Sequence, residues 1–304
     1  MAVTSSAPAE RSISRLWKAL SLGCALLVAS AAPFPCRANE TMSFVYHLDD
    51  TGRDVRNHYL WRIMRQSLER TRDEFGDYEL KSAHMMREQG RIYVLEHGFG
   101  GINVSVIPDQ PGLDQKVIRV PIPADSGILG YRVMLIREGE QARFDRIRTA
   151  ADLQGIRFGL LESWTSTEIM RAAGLEVVAG TSYEGLFQML AAGRFDAFDR
   201  SIVEIIPEYD VRSKELPGLV IERHLVLRYP MPVYFCFPKS EDGQRRADRL
   251  ALGLSRMTAD GSLKAIFDEE LGPYFKRLDL AHRRVIELPN KLTTAPANSG
   301  DTIR

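Results

Sequence analysis

Two hydrophobic periods alternate along this chain. Short apolar runs of strand length are followed by stretches in which apolar residues recur every three or four positions, the spacing of a helix that buries one face. Residues 43–48 read as a strand that ends in Asp49, Asp50, Thr51 and Gly52. Tyr59, Leu60, Ile63, Met64, Ser67, Leu68 and Thr71 then share one face of a long helix, which Gly76 closes. A second strand at 78–82, a helix at 84–97 weakened by Gly90, and a third strand at 102–107 follow. After a polar loop at 108–115, the pattern predicts strands at 117–122 and 131–136. Later come strands at 219–222, 225–229 and 233–237, a long helix carrying Ala247, Leu250, Ala251, Leu254 and Met257 and ended by Gly261, and a shorter helix at 263–271.

The rhythm is densest between Asp152 and Glu204, where strand and helix alternate three times, so a parallel sheet is expected. In open sheets of this kind ligands sit beyond the carboxyl ends of the strands. One such end is 161–166. Thr165 stands three residues before Glu168, a capping-box spacing, so a helix is expected from Ser166 to Ala173 with Gly174 as its stop. Two readings stand for it. The free N–H groups of that turn, with the hydroxyls of Ser163, Ser166 and Thr167, can hold a polar or anionic group. Alternatively this is an ordinary capped helix whose positive end Glu168 already offsets. Trp164 is either a stacking wall or a lid over the core. The other end is 198–204. Ser182 caps a helix stopped by Gly193, 195–198 is the strand, and Asp199, Arg200, Ser201 and Glu204 follow it, either in a solvated loop or along a cleft. Thr149 and Asp152 form a further capping-box spacing ahead of this region.

Residues 1–38 have the layout of an export signal. Arg11, Arg15 and Lys18 precede an apolar run at 19–32, and Cys36-Arg37-Ala38 puts small residues at the positions a peptidase needs for a cut after Ala38. The run is too short to span a bilayer, so the expected product is soluble and periplasmic. Neither Cys24 nor Cys36 sits in a good lipidation box. Cleavage leaves Cys236 alone, in an apolar run where it reads as a small buried hydrophobe. Lys plus Arg and Asp plus Glu balance at 40 each, which gives no support to nucleic-acid binding. The histidines, at 47, 58, 84, 97, 224 and 282, have no metal-ligand spacing, and neither a nucleophile elbow nor a phosphate loop is present. No cofactor and no metal are expected.

Three local matches carry a family resemblance: Ala-Asp-Leu-Gln-Gly-Ile-Arg-Phe-Gly at 151–159, Gly-Arg-Phe-Asp-Ala at 193–197, and the helix at 250–261 that ends before Ser262. In this order the chain from 42 to 288 resembles the type II periplasmic solute-binding proteins of the amino-acid type (family 3), which serve ABC transporters. The resemblance implies an α/β fold of two lobes, each a mixed sheet flanked by helices, joined by two crossing strands that act as a hinge. On that template lobe 1 is 42–130 plus 231–288, lobe 2 is 131–230 with the crossings at 131–136 and 227–234, and 289–304 is a disordered tail. Two departures matter. The arginine that pairs an amino acid's carboxylate has no counterpart in 108–116, and the aspartate that takes its amino group falls near Ser201. A standard amino acid is therefore not implied. The expected contacts of a small polar solute are Asp50, Trp164, Ser166, Thr167, Arg200, Glu204 and Tyr234, with Arg200 pairing a carboxylate and Asp50 facing it across the gap. The implied role is solute capture by a monomer for a membrane permease. The alternatives are a sensor or accessory subunit, and a dehydratase-like enzyme using Glu204 or Glu162 as general acid or base.

Overall fold

The computed structural model describes residues 41–47, 58–83, 88–99 and 101–293. The expected export signal, Asp49 and Asp50, and residues 294–304 of the expected tail lie outside the described residues. In chain order the elements begin with β1 (Met42–His47), α1 (His58–Glu69), α2 (Arg72–Phe75), β2 (Tyr78–Ala83), α3 (Glu88–His97), β3 (Ser105–Pro108), α4 (Leu113–Lys116) and β4 (Ile118–Arg119). There follow β5 (Tyr131–Arg137), α5 (Gln141–Phe144), β6 (Arg157–Leu161), α6 (Thr165–Ala172), β7 (Glu176–Gly180), α7 (Tyr183–Ala191), β8 (Ala197–Ser201) and α8 (Ile205–Glu215). The chain continues through β9 (Leu219–Ile221), β10 (Leu225–Arg228), β11 (Val233–Phe237), α9 (Glu241–Ala259), α10 (Ser262–Arg277) and β12 (Arg284–Glu287).

The described strands pair into three sheets, the two smaller of which join through Asn103 into one continuous first sheet: β1 pairs in parallel with β2, and β11 lies antiparallel between β3 and β4. Asn103 stitches the two halves: its backbone N–H donates to Val45 O at 3.0 Å, its side chain accepts from Val45 N at 2.8 Å and donates to Ser43 O at 2.9 Å. Helices α1 and α9 pack on this sheet. Arg249 of α9 donates to Leu68 O in the last turn of α1 and to Gly76 O just after α2. In the second sheet the order is β12-β10-β5-β8-β6-β7, with β9 also on β5. The expected parallel pairing holds for β7, β6 and β8, while β5 runs antiparallel to β8. Gly159 in β6 has a packing reason: a Cβ there would stand 2.1 Å from the Phe195 ring.

Two chain segments cross between the sheets, one entering β5 and one leaving β10. Leu227 pairs with Arg132 and Arg228 with Tyr131, and Tyr229 N donates to Gly130 O at 3.1 Å. The crossing is tight enough to exclude a side chain, since a Cβ on Gly130 would lie 2.1 Å from Tyr229 O.

Several boundaries differ from the pattern. The helix after β6 starts one residue early, with Trp164 at its cap and no side-chain cap bond, so Thr165 does not form the expected capping box. β8 runs on through Ser201, which places Asp199 and Arg200 inside a buried strand and not beyond its end. The polar loop at 108–115 folds partly into α4, and the strand at 117–122 narrows to β4. α10 continues past Leu271 to Arg277 through Pro273. β12 has no counterpart in the pattern; it pairs in parallel with β10, so residues 284–287 join the second sheet, although the template assigned them to lobe 1. Residues 289–293 are not a loose tail. Asn290 donates to Pro230 O at 2.6 Å, and Thr293 donates to Asp109. The capping box at Thr149 and Asp152 and the Ser182 cap form as expected.

Candidate ligand-binding cleft

A cavity of about 400 Å3 opens between the two sheets, a volume at the small end of known ligand pockets. From the first sheet's side it is lined by His47 at the end of β1, Tyr59 and Leu60 of α1, and Val106 of β3. Glu270, Leu271 and Tyr274 of α10 close that wall. From the other side come Trp164, Thr165 and Ser166 at the start of α6, and Arg200, Val203 and Glu204 where β8 turns into α8. The crossing segments supply Asp125, Leu129, Arg132 and Met231.

Beneath the cavity lies a buried ionic network. Arg132 on β5 donates through Nε to Asp199 Oδ2 at 3.0 Å and through its other nitrogens to Leu129 O and Asp199 O. Tyr229, on the second crossing, donates to the same Oδ2 at 3.1 Å. Asp199 is fully enclosed and its Oδ1 has no hydrogen-bond partner among the described residues. Burial therefore pushes its carboxyl above the usual range, against the pull of the Arg132 guanidinium. Arg200, 1 % exposed, is held bidentately by Glu208 at 2.7 and 2.6 Å and stands 3.1 Å from Glu204 Oε1. Burial alone would lower its pKa, but these two carboxylates raise it well above the ordinary arginine value, so the guanidinium is always charged. Trp164 and the Arg200 guanidinium stack, 4.5 Å from the ring centroid.

Asp125 joins the two crossings. Its Oδ1 accepts from Gly127 N at 3.0 Å and Val233 N at 3.1 Å, and its Oδ2 accepts from Leu129 N at 3.0 Å. Burial raises its pKa to about 6 in spite of these donors. Tyr59 is 6 % exposed, and its hydroxyl has no hydrogen-bond partner among the described residues. Burial first, and then the Asp125 charge, push its pKa up, so it remains a neutral O–H donor.

Solved structures share this architecture. An ancestral arginine-binding protein bound to glutamine matches 77% of this chain and 99% of its own, with a TM-score of 0.53 and 17% identity. A histidine kinase sensor domain with similarity to periplasmic binding proteins matches over 76% and 97%, at a TM-score of 0.54 and 16% identity. An ancestral amino-acid-binding protein, a precursor of cyclohexadienyl dehydratase, matches over 76% and 96%, at 0.51 and 14%. The chain has the type II periplasmic-binding-protein fold. No protein-family profile and no curated protein matches the sequence.

Four of the residues singled out by sequence line this cavity: Trp164, Ser166, Arg200 and Glu204. Arg200, however, has its carboxylate partner within the chain, in Glu208. Thr167 lies beneath the cavity wall, where its hydroxyl donates to Leu161 O at 2.7 Å. Tyr234 faces away. Side chains alternate along a strand, so Val233 lines the cavity while Tyr234 packs on the far side of the sheet with Cys236, under the Arg119 guanidinium. Cys236 is fully buried, and burial pushes its thiol pKa up. Asp50 lies outside the described residues, so its position opposite Arg200 stands only as an expectation. Glu162 is on the surface, paired with Arg171 at 2.9 and 2.8 Å; that pairing lowers its pKa, the opposite of what a general acid needs. Glu204 Oε2 accepts from Ser201 N at 3.0 Å, which commits it to the turn into α8.

The pattern missed Tyr59, Asp125 and Arg132. Tyr59 reads as one more core residue on the apolar face of α1. Asp125 was legible as a turn former in Pro-Ala-Asp-Ser-Gly, but not as the group that ties both crossings. Among the described residues no cluster of acids, histidines and cysteine fits a metal, and no helix is long and apolar enough to cross a membrane.

Proposed function

We propose that this protein is an extracytoplasmic solute-binding protein that closes its lobes on a small ligand and delivers it to a membrane permease of the ABC type. The observation that carries this reading is the cavity itself, lined from both lobes and from the two crossings between them. A ligand that touches both walls favours the closed state by its differential contacts. We place lobe 1 at 42–130 plus 231–283 and lobe 2 at 131–230 plus the β12 strand, with Ala38 the end of a cleaved export signal and the monomer the working form. Trp164, Ser166 and Glu204 are the ligand contacts on the lobe 2 side. Catalysis is not part of this reading, because both candidate carboxylates are engaged elsewhere.

The likeness to a sensor domain supports a second reading, in which the same clamp reports occupancy to a signalling partner. The test is a metabolite panel screened by thermal unfolding, followed by small-angle scattering. A true ligand raises Tm by mass action and reduces the radius of gyration. If a panel spanning amino acids, organic acids, sugars and neutral organic molecules gives neither effect, the binding reading fails. Pull-down of a permease rather than a kinase with the ligand-loaded protein separates uptake from sensing.

A further inference from the structure

We propose that the cleft selects a molecule with an apolar body and an uncharged hydrogen-bond acceptor, such as a ring-bearing alcohol or ketone, and rejects zwitterionic amino acids. The proposal rests on the binding reading above and specifies its ligand class.

Among the described residues, each charged group that lines the cavity already has a partner. Arg132 is taken by Asp199, and Arg200 by Glu208 and Glu204. Arg91 Nη1 stands 3.0 Å from His47 Nε2 and donates to Val106 O at 3.4 Å. Asp125 accepts three backbone N–H groups, and Glu270 is bonded to Arg62 at 2.5 Å. A ligand ammonium would have to displace one of these guanidinium or amide donors, and a ligand carboxylate would have to compete with Glu208 for Arg200. Either exchange loses as much as it gains, so charge on the ligand brings desolvation without a compensating pair.

What the cavity offers without displacement is different. Leu60, Val106, Leu129, Met231 and Leu271, with Trp164 beside them, give it a mainly apolar wall drawn from both lobes. Tyr59 lines the cavity with its hydroxyl oxygen enclosed in the wall and without a hydrogen-bond partner among the described residues, and such a donor is destabilising until a ligand acceptor reaches it. The acceptor is neutral, because the Arg132 and Arg200 guanidinium groups that line the cavity are already paired within the chain and an anion bound there would lack a compensating cation.

Matched probes test this. Phenylalanine, benzoate, benzyl alcohol, cyclohexanol and cyclohexanone, and the remaining common amino acids, are titrated into the full protein by calorimetry, with Tyr59→Phe in parallel. The expected result is that the neutral probes bind, phenylalanine does not, and Tyr59→Phe weakens the neutral probes at least tenfold while Tm is unchanged or higher, since only an unpartnered hydroxyl is removed. Tighter binding of any amino acid than of its neutral counterpart overturns the proposal and leaves the solute-binding reading intact. So does an unchanged affinity in Tyr59→Phe. Absence of binding by every probe overturns the ligand class, and a failed wider metabolite screen then takes the binding reading with it.

Discussion

Asp125→Asn tests whether burial or hydrogen bonding governs the carboxylate that ties the two crossings together. Three backbone N–H groups, from Gly127, Leu129 and Val233, favour the charged form, while enclosure at 3 % exposure favours the neutral one. The balance is a pKa of about 6, against 3.8 for the free group. The sign follows directly. Between those two values the folded protein binds more protons than the unfolded chain, so stability falls as pH rises through the window. A difference of about two units at 1.36 kcal/mol each makes the ionised Asp125 a destabilising element of about 3 kcal/mol at pH 7, absent below pH 4. Asparagine does not titrate. Its carbonyl can keep the Gly127 and Val233 bonds, but its amide faces Leu129 N–H donor to donor, a pH-independent loss of roughly 1–3 kcal/mol. The assay is urea unfolding of both proteins between pH 4 and pH 7.5, plotted as wild-type minus variant stability, so that other carboxylates cancel. That difference should favour the wild type most at pH 4 and shrink by about 3 kcal/mol toward neutrality. A flat difference, or one that grows with pH, refutes the reasoning and makes the three N–H donors the dominant influence.

Two further perturbations probe the same region. Gly130→Ala forces a Cβ to 2.1 Å from Tyr229 O, so the crossings must part and the Tyr229–Gly130 bond is lost. Overpacking and one hydrogen bond together come to about 2–4 kcal/mol, read as a fall in Tm; a change under about 0.5 kcal/mol would show that the approach is looser. Glu208→Gln leaves Arg200 with Glu204 as its remaining acid and should destabilise by about 3–5 kcal/mol, whereas the paired change of Arg200 to Met and Glu208 to Leu should be milder. Denaturant unfolding of the two variants decides it, and a double variant less stable than the single one contradicts the assigned pairing.

Element order was readable because burial enforces period. Strands β6 and β8 are covered on both faces, and α1, α7 and α9 each bury one, so their apolar spacing is strict. Where little is buried, the signal fails. β12 alternates weakly, with Val285 exposed and Ile286 buried, and is held by pairing to β10, a contact that no local pattern encodes. Residues 289–293 are polar and yet fixed, because their partners, Pro230 and Asp109, are far away in the chain.

The cleft divides along the same line. Trp164, Ser166, Arg200 and Glu204 were placed by a rule of topology, that strand ends in such sheets meet ligands, and topology follows from period. Their chemistry was not readable, because a charged residue looks the same in sequence whether it awaits a ligand or is already paired. Arg132 and Asp199 are 67 residues apart and Arg200 and Glu208 only eight, so even a near partner is invisible until strand and helix bring the groups together. Tyr234 shows how little error is needed: the strand was right, but a shift of one residue exchanges a cleft wall at Val233 for the far face of the sheet. Tyr59 is the converse. Its ring reads as core and packs as core, and only the position of one hydroxyl oxygen separates it from its neighbours on α1. For that reason a ligand class argued from composition at strand ends comes out polar, whereas one argued from which groups are left without partners comes out apolar with a single donor.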